Sequence, residues 1–439
     1  MEIFLSISHR CLDLACQKPY IRYWQYANDL MYIQNNQLKN ILRQQGLPAL
    51  NYTQFTQQFP LTNYPKIQKK IEQQILQNQQ KMGLHKIQYY QTERCQSGLT
   101  KFIPYTQPFI DELDCALSLW IVGLYQQYPE LKKTTHYWQT NNNAKLEYPS
   151  QNFIYQNALV LNVGKRILND ATRAVPMEVG YAQSAADRLF ATAVYLVANK
   201  DLGLISVWNP RHALDLLDTI RNHQKEMIRV LRTGQWRRKG LNYLKAPCSC
   251  EQSYRLQRVD LNIVEAWQVL WPKLILISSR VEGGFLQNAE NLKVQFPSLA
   301  FEEKGLWCTE GVVSVAFQGR HPLAYQSHFY EFIELKTQQI LPAWRLNSGD
   351  IVCPVISTSA GLFRYVLNDV LEVTDFYMKI PCLKNLGQHQ EQLFADNKVD
   401  AEKAKKVLAA FKPIYAEQCL SEERHISARS KIYTSSYYM

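Results

Sequence analysis

Between Arg188 and Ser279 two hydrophobic periods alternate, and this alternation limits the fold more than any other feature. RLFATAVYLVANK carries a helical pattern and LGLISVW is a short apolar, β-branched run that ends at Asn209-Pro210. HALDLLDTIRNHQKEMIRVLR reads as one helix, and LWPKLILISS as another buried strand, closed by Gly283-Gly284. Short apolar strands that alternate with amphipathic helices predict an α/β domain with a largely parallel sheet, because parallel neighbours need a crossover helix.

The flanking segments differ from this centre. Residues 1 to about 85 have helical periodicity, and IQKKIEQQILQNQQKMG predicts a helix that stops at Gly83. Thr106 begins a strong helix with Pro108 in its first turn and a stripe of Phe109, Leu113, Ala116, Leu117, Trp120 and Leu124. THYWQTNNNAKLEYPSQN reads as a loop or exposed hairpin. From about residue 300 the pattern is β-rich, in GLWCTEGVVSVAF, HFYEFIEL and DIVCPVISTSAGLFRYVLNDVLEVTDF. DAEKAKKVLAAF predicts one late helix.

Composition narrows the class. A hydrophobic content of 46% supports substantial cores, and a net charge of +11 suits a polyanion or a phosphate-bearing small molecule. Arg237-Arg238-Lys239 beside Trp236 is the one compact basic run. It follows a helix end, where basic residues complement the dipole, so nucleic acid is not the expected partner. The cysteines have no disulfide or metal spacing. Neither a signal peptide nor a membrane span is evident, so a soluble cytoplasmic protein with no membrane partner is expected.

Three loops hold residue types suited to nucleotide chemistry. In QTERCQSGLTKFIPYT, Ser97, Gly98, Thr100 and Lys101 could cradle a polyphosphate with backbone N–H groups, hydroxyls and an ammonium. In GLWCTEG, Thr309-Glu310 could hold a Mg²⁺ bridging phosphates. In SAGLFRYVLNDVLEV, Arg364 and Asp369 follow Gly361, and a carboxylate at a strand end can accept ribose hydroxyls. Singly, each also fits an ordinary turn or a solvated side chain.

Together, with FIPYT, SVWNP, LWPKL, YQSHFYEFIEL and GLFRYVLNDVLEVTDF, they resemble the acyl-acid amido synthetases first known from plant auxin-responsive genes, the Gretchen Hagen family of adenylate-forming enzymes. The resemblance runs from about Tyr64 to Gly387. It implies an α/β fold: a large adenylate-forming domain over 1–385, with mixed sheets flanked by helices and a β-rich subdomain from about 300. Residues 386–439 would be a vestige of the small C-terminal domain. It further implies that a small carboxylic acid attacks Mg·ATP to give an acyl-adenylate, and that an amine or amino acid then takes the acyl group. Ser97, Gly98 and Lys101 match the phosphate loop, where Thr100 would also bind the nucleotide. Thr309 and Glu310 match the Thr-Glu pair near the metal and phosphates; Lys101 and Glu310 would be catalytic, and Glu310 would hold the metal. Arg364 and Asp369 match the ribose motif, and Lys398 stands where a later Gly-Glu-Lys-Leu stretch has its lysine.

The departures fall on ATP handling and the second step. Glu93, Arg94, Cys95 and Gln96 replace the usual Thr, Ser and Gly, and Gln388 replaces the hinge arginine. They keep open an alternative, a relative that binds nucleotide, acyl ligand or partner protein without turnover. A separate protein supplying the small domain is another expectation of that pattern, as is slow adenylation with little amide synthesis.

Overall fold

The computed structural model describes residues 2–94, 100–139 and 163–388. Four helices open the chain: α1 Glu2–Gln25, α2 Leu30–Gln44, α3 Tyr52–Gln58 and α4 Tyr64–Leu76. Asn51 starts α3 with a capping box, its side chain accepting from the Gln54 N–H while the Gln54 side chain takes the Asn51 N–H. α4 stops at Leu76, short of the expected Gly83. Asn78 turns the chain with φ 52°, and Lys81–Met82 (β1) pairs back on His85–Arg94 (β2). Gly83 therefore serves a hairpin turn, with φ 58°, and not a helix end.

β2 pairs antiparallel with β3, Thr100–Thr106, and α5, Gln107–Gln127, follows at once. Nearly every position of α5 from Phe109 to Tyr125 is buried, so it is a central core helix and not a surface one. No helix among the described residues is long and apolar enough to cross a membrane.

Thr135–Trp138, expected in a loop or an exposed hairpin, is β4, the buried edge strand of a four-stranded parallel sheet with β5 Leu202–Ser206, β6 Leu276–Ser279 and β7 Ala300–Glu303. Its crossovers include α6 Val163–Asp170, α7 Ala185–Ala198, α8 Pro210–Asn222, α9 Gln224–Thr233, α10 Cys250–Arg258, α11 Glu265–Leu270 and α12 Leu286–Gln295. The expected single helix from His212 to Arg232 breaks at His223 into α8 and α9. Alternate strand residues face opposite cores, as the pleat requires. Trp138, Leu204 and Leu276 join the α5 side, whereas Tyr137, Ile205 and Ile277 join the cluster formed by the crossover helices.

Beyond β7 the chain is β-rich. β8 Trp307–Cys308 and β9 Gly311–Val312 form a short ribbon. An antiparallel sheet runs β11 Ile340–Pro342, β10 Phe329–Glu334, β12 Ile351–Ser357, β14 Asp369–Tyr377 and β15 Ile380–Gln388, with β13 Tyr365–Val366 also on β12. The late helix expected at DAEKAKKVLAAF lies outside the described residues.

Candidate active site

Register and one tight ribbon assemble the site. In the β2–β3 hairpin Glu93 faces Lys101 and Arg94 faces Thr100, so Glu93 and Lys101 project on one side. Thr309-Glu310 is the two-residue connection between β8 and β9. The hairpin carries Lys101 to Glu310, and the ammonium sits 3.0 Å from Glu310 Oε1. Tyr365, from β13, donates its hydroxyl to the same oxygen at 2.8 Å. Tyr105 ties down the turn by donating to the Thr309 carbonyl at 3.0 Å.

The Glu310 side chain is only 3% exposed. Burial alone would raise its pKa, but the Lys101 charge and hydrogen bonds from Lys101, Tyr365 and Thr309 hold it below the ordinary carboxylate value. Glu93 is different: burial and the neighbouring Glu310 charge push it up. Thr309 Oγ1 lies 2.8 Å from both Glu93 Oε2 and Glu310 Oε2. One hydroxyl has one proton to give, so two charged carboxylates cannot both be served. The Lys101 and Arg280 charges oppose the rise of Glu93.

That donor set suits Mg²⁺. Glu93, Glu310 and Thr309 offer hard oxygens, and Mg²⁺ commonly takes one or two carboxylates and completes its shell with water and phosphate. Among the described residues no group of three or more His, Cys, Asp or Glu could hold a metal ion.

Asp369 opens β14 and is 8% exposed. Burial lifts its pKa to about 6, aided by Glu310 and Glu282 and opposed by Arg280 and Asn385. It thus senses Glu310 electrostatically, as a member of the same neighbourhood. Arg364 is engaged elsewhere. With φ 46° it forks onto Glu331 through Nε at 2.9 Å and Nη2 at 3.0 Å, and Nη1 reaches the carbonyls of Thr56 and Phe59. Thr100 begins β3 beside the hairpin end. Ser97, Gly98 and Lys398 lie outside the described residues.

A cavity of about 180 Å³ opens beside this cluster, lined by Glu93, Thr309 and Arg280 and by the aromatic rings of Trp120, Trp138, Trp208 and Trp307. Sequence reasoning missed Tyr105, Tyr365, Arg280 and Lys304 as site residues. Tyr365 is the tyrosine of GLFRY, directly after Arg364, so the motif itself was its signal. Gly305, also in the lining, lets the chain turn from β7 toward the ribbon. A Cβ there would lie 2.2 Å from the Ser314 carbonyl oxygen, which is backbone and cannot swing aside. Gly305→Ala should therefore destabilise the fold by about 3 kcal/mol, by analogy with overpacked cores. An unchanged urea midpoint would refute this.

Elsewhere, Arg238 is paired with Asp187 and Glu226 and stacks on Phe190, and Trp236 donates to the Leu244 carbonyl. Arg238 is thus engaged within the fold, while Arg237 and Lys239 are exposed.

Comparisons with known proteins place this architecture. The profile of the GH3 family N-terminal domain matches residues 29–301, and that of the GH3 family central domain matches 321–388. No curated protein matches the sequence. Among solved structures, one of a GH3.15 acyl acid amido synthetase superposes with TM-score 0.69 at 17% identity, covering 84% of this chain and 70% of the other. Another, of AtGH3.15 acyl acid amido synthetase in complex with 2,4-DB, gives 0.70 at 18%, covering 89% and 73%. At such identities the structures establish a shared mixed α/β fold. The N-terminal match alone spans well over half of the 439 residues, and the chain belongs to the GH3 family.

Proposed function

We propose that this protein is an ATP-dependent ligase that adenylates a small carboxylic acid and passes the acyl group to an amine or amino acid. The observation that carries the reading is the meeting of Lys101, Thr309 and Glu310, from segments about two hundred residues apart, beside an aromatic cavity. In the first step a carboxylate oxygen attacks the α-phosphorus of ATP, the bond to the bridging oxygen breaks, and pyrophosphate leaves. In the second the amine nitrogen attacks the acyl carbon, AMP leaves, and the amine gives up a proton.

Lys101 meets negative charge developing on the phosphates, with Ser97, Gly98 and Thr100 lining the same loop. Glu310 and Glu93 are the residues that would hold Mg²⁺, which supplies charge neutralisation to the polyphosphate when bound. Tyr365 and Tyr105 fix the Thr309-Glu310 turn against movement. Asp369 takes the ribose hydroxyls, and Lys398 would add a positive charge for the nucleotide. Arg364 serves indirectly, by anchoring the turn that presents Tyr365. The cytoplasm suits this reading, since all eight described cysteines are free.

Acid-dependent ATP–pyrophosphate exchange across a panel of aliphatic and aromatic acids tests it. Slow exchange with at least one acid is expected, with little amide on adding amines. ATP binding by calorimetry with no exchange for any acid would replace this reading with a binding protein that does not turn over.

A further inference from the structure

The Lys304 ammonium occupies an unusual place. It follows β7, at the carboxyl edge of the parallel sheet, where ligands of open α/β folds gather. Its Nζ donates to Ser206 Oγ at 2.8 Å and Ser278 Oγ at 3.2 Å, both from neighbouring strands. It also lies over two indole faces, 5.0 Å from the Trp120 ring centre and 4.8 Å from that of Trp208. Ser278 in turn donates to Glu302 at 3.0 Å, and Trp120 Nε1 donates to the same carboxylate oxygen at 2.7 Å. The cation is thus linked to its counter-charge through a serine. Glu302 itself makes no ion pair with it within 4.0 Å.

An ammonium has three N–H donors. Two go to the serines, and among the described residues the third has no hydrogen-bond partner. Lys304, Ser206, Trp120 and Trp208 all line the 180 Å³ cavity, so the remaining donor belongs to its wall. A purely structural lysine here would be a poor solution. Lys304 is half-buried, and taking a cation even partly out of water carries a cost that an apolar side chain of similar length between two tryptophans would not. Burial does lower its pKa, to about 8, with Glu302 opposing, so the group is still largely charged at neutral pH.

We infer that Lys304 recognises a second anionic oxygen on the acid substrate, at a point remote from the carboxylate that reacts. The substrate class is then a flat acid with two anionic ends, its body held between the indoles that line the cavity. Which carboxylate reacts rests on the adenylation reading; the recognition by Lys304 does not. One end meets Lys304, and the other is left for the neighbourhood of Thr309, which lines the same cavity. A neutral substituent at the first end would leave the ammonium buried and unsolvated, which is how a polar pocket rejects an apolar analogue.

Terephthalate and 4-methylbenzoate separate the possibilities, since they share a ring and one carboxylate and differ in the second charge. Their binding to the full-length protein is followed at pH 7 by quenching of tryptophan fluorescence, and by calorimetry, without ATP. The wild-type chain should bind terephthalate about tenfold more tightly, as expected for one charge-assisted hydrogen bond. Lys304→Met should lose that discrimination, with its fold verified by thermal melting. Equal affinities in the wild type, no binding of either probe, or a preference that survives in Lys304→Met would each overturn the inference. The wild-type comparison stands even if the variant fails to fold. Pyrophosphate exchange with both acids runs alongside. Discrimination with no exchange for these two or any other acid of the panel would remove the adenylation reading and leave Lys304 in place, and exchange without discrimination would do the reverse.

Discussion

Lys101→Met should reduce acid-dependent pyrophosphate exchange by at least about 100-fold, the usual cost of losing one pre-placed charge stabiliser. The same substitution should destabilise the fold by about 3 kcal/mol, because it leaves the buried Glu310 without its cation. The two effects can be separated. Adding Glu310→Gln removes the stranded charge while keeping an oxygen that accepts from Tyr365. The double variant should recover most of the lost stability and none of the exchange. pH gives an independent check of sign. Glu310 is held below its ordinary pKa in the wild type, so its contribution is present above the unfolded-state value and is lost as pH falls through the folded one. In Lys101→Met the largest opposing influence on burial is gone. The carboxyl then titrates higher, and acidification from pH 7 toward 5 should stabilise the variant. Urea unfolding at the two pH values measures this. A single variant with near-normal exchange, or a double variant no more stable than the single, would sink the assignment.

The same cluster shows why some of the site was legible in the sequence. A lysine beside small residues, and a Thr-Glu pair between short apolar runs, are residue types suited to phosphate and metal, and here they occur together. Each is presented by a local structure, a hairpin and a two-residue turn, although their encounter across about two hundred residues needs the tertiary fold. Lys304 and the tryptophans around it carried no such mark. Trp120 reads as one apolar position in a helix stripe, and Trp208 as the end of a strand. They become a cage only when three strand ends and α5 meet, which no local pattern encodes. Arg364 shows the opposite failure. Its chemistry suits an anion, and the anion it holds is Glu331, a residue of another strand.

The fold has a similar division. β5 and β6 were plain because apolar, β-branched runs between helices have one good solution. β4 was hidden because half of THYW is nominally polar, yet all four residues are buried. His136 is accommodated by the nearby Leu131 carbonyl at 3.1 Å and by ring contact with His9, the latter far outside any hydropathy window. Burial holds both imidazoles uncharged, His9 with a pKa of about 4. At the end of α4 the pattern continued past Leu76, but pairing of β1 with β2 outcompeted further helix, a tertiary override of local propensity.

Asp369→Asn should raise stability and weaken ATP binding at once, a pairing that a turn residue would not show. Burial places the Asp369 carboxyl near pKa 6, against 3.8 for the free group. Here the folded state binds the proton more tightly than the unfolded chain does. The sign follows: stability falls as pH rises from about 4 to about 6, and above that the penalty is complete. Two pH units correspond to about 3 kcal/mol at pH 7. Asparagine has the same shape without the charge, so the variant should recover a large part of that figure and lose the pH slope. Nucleotide binding should go the other way. Ribose hydroxyls donate, and a carboxylate accepts from them more strongly than an amide oxygen does, so ATP affinity should fall about tenfold. ATP titrates in the same range, but the difference between wild type and variant cancels that contribution. The advantage of the wild type should therefore grow as pH rises from 5 to 7, when Asp369 gains its charge. Calorimetric ATP titrations and urea unfolding at those pH values are sufficient. A variant that is no more stable at pH 7, or that binds ATP as the wild type does, would return Asp369 to the role of a strand-end residue.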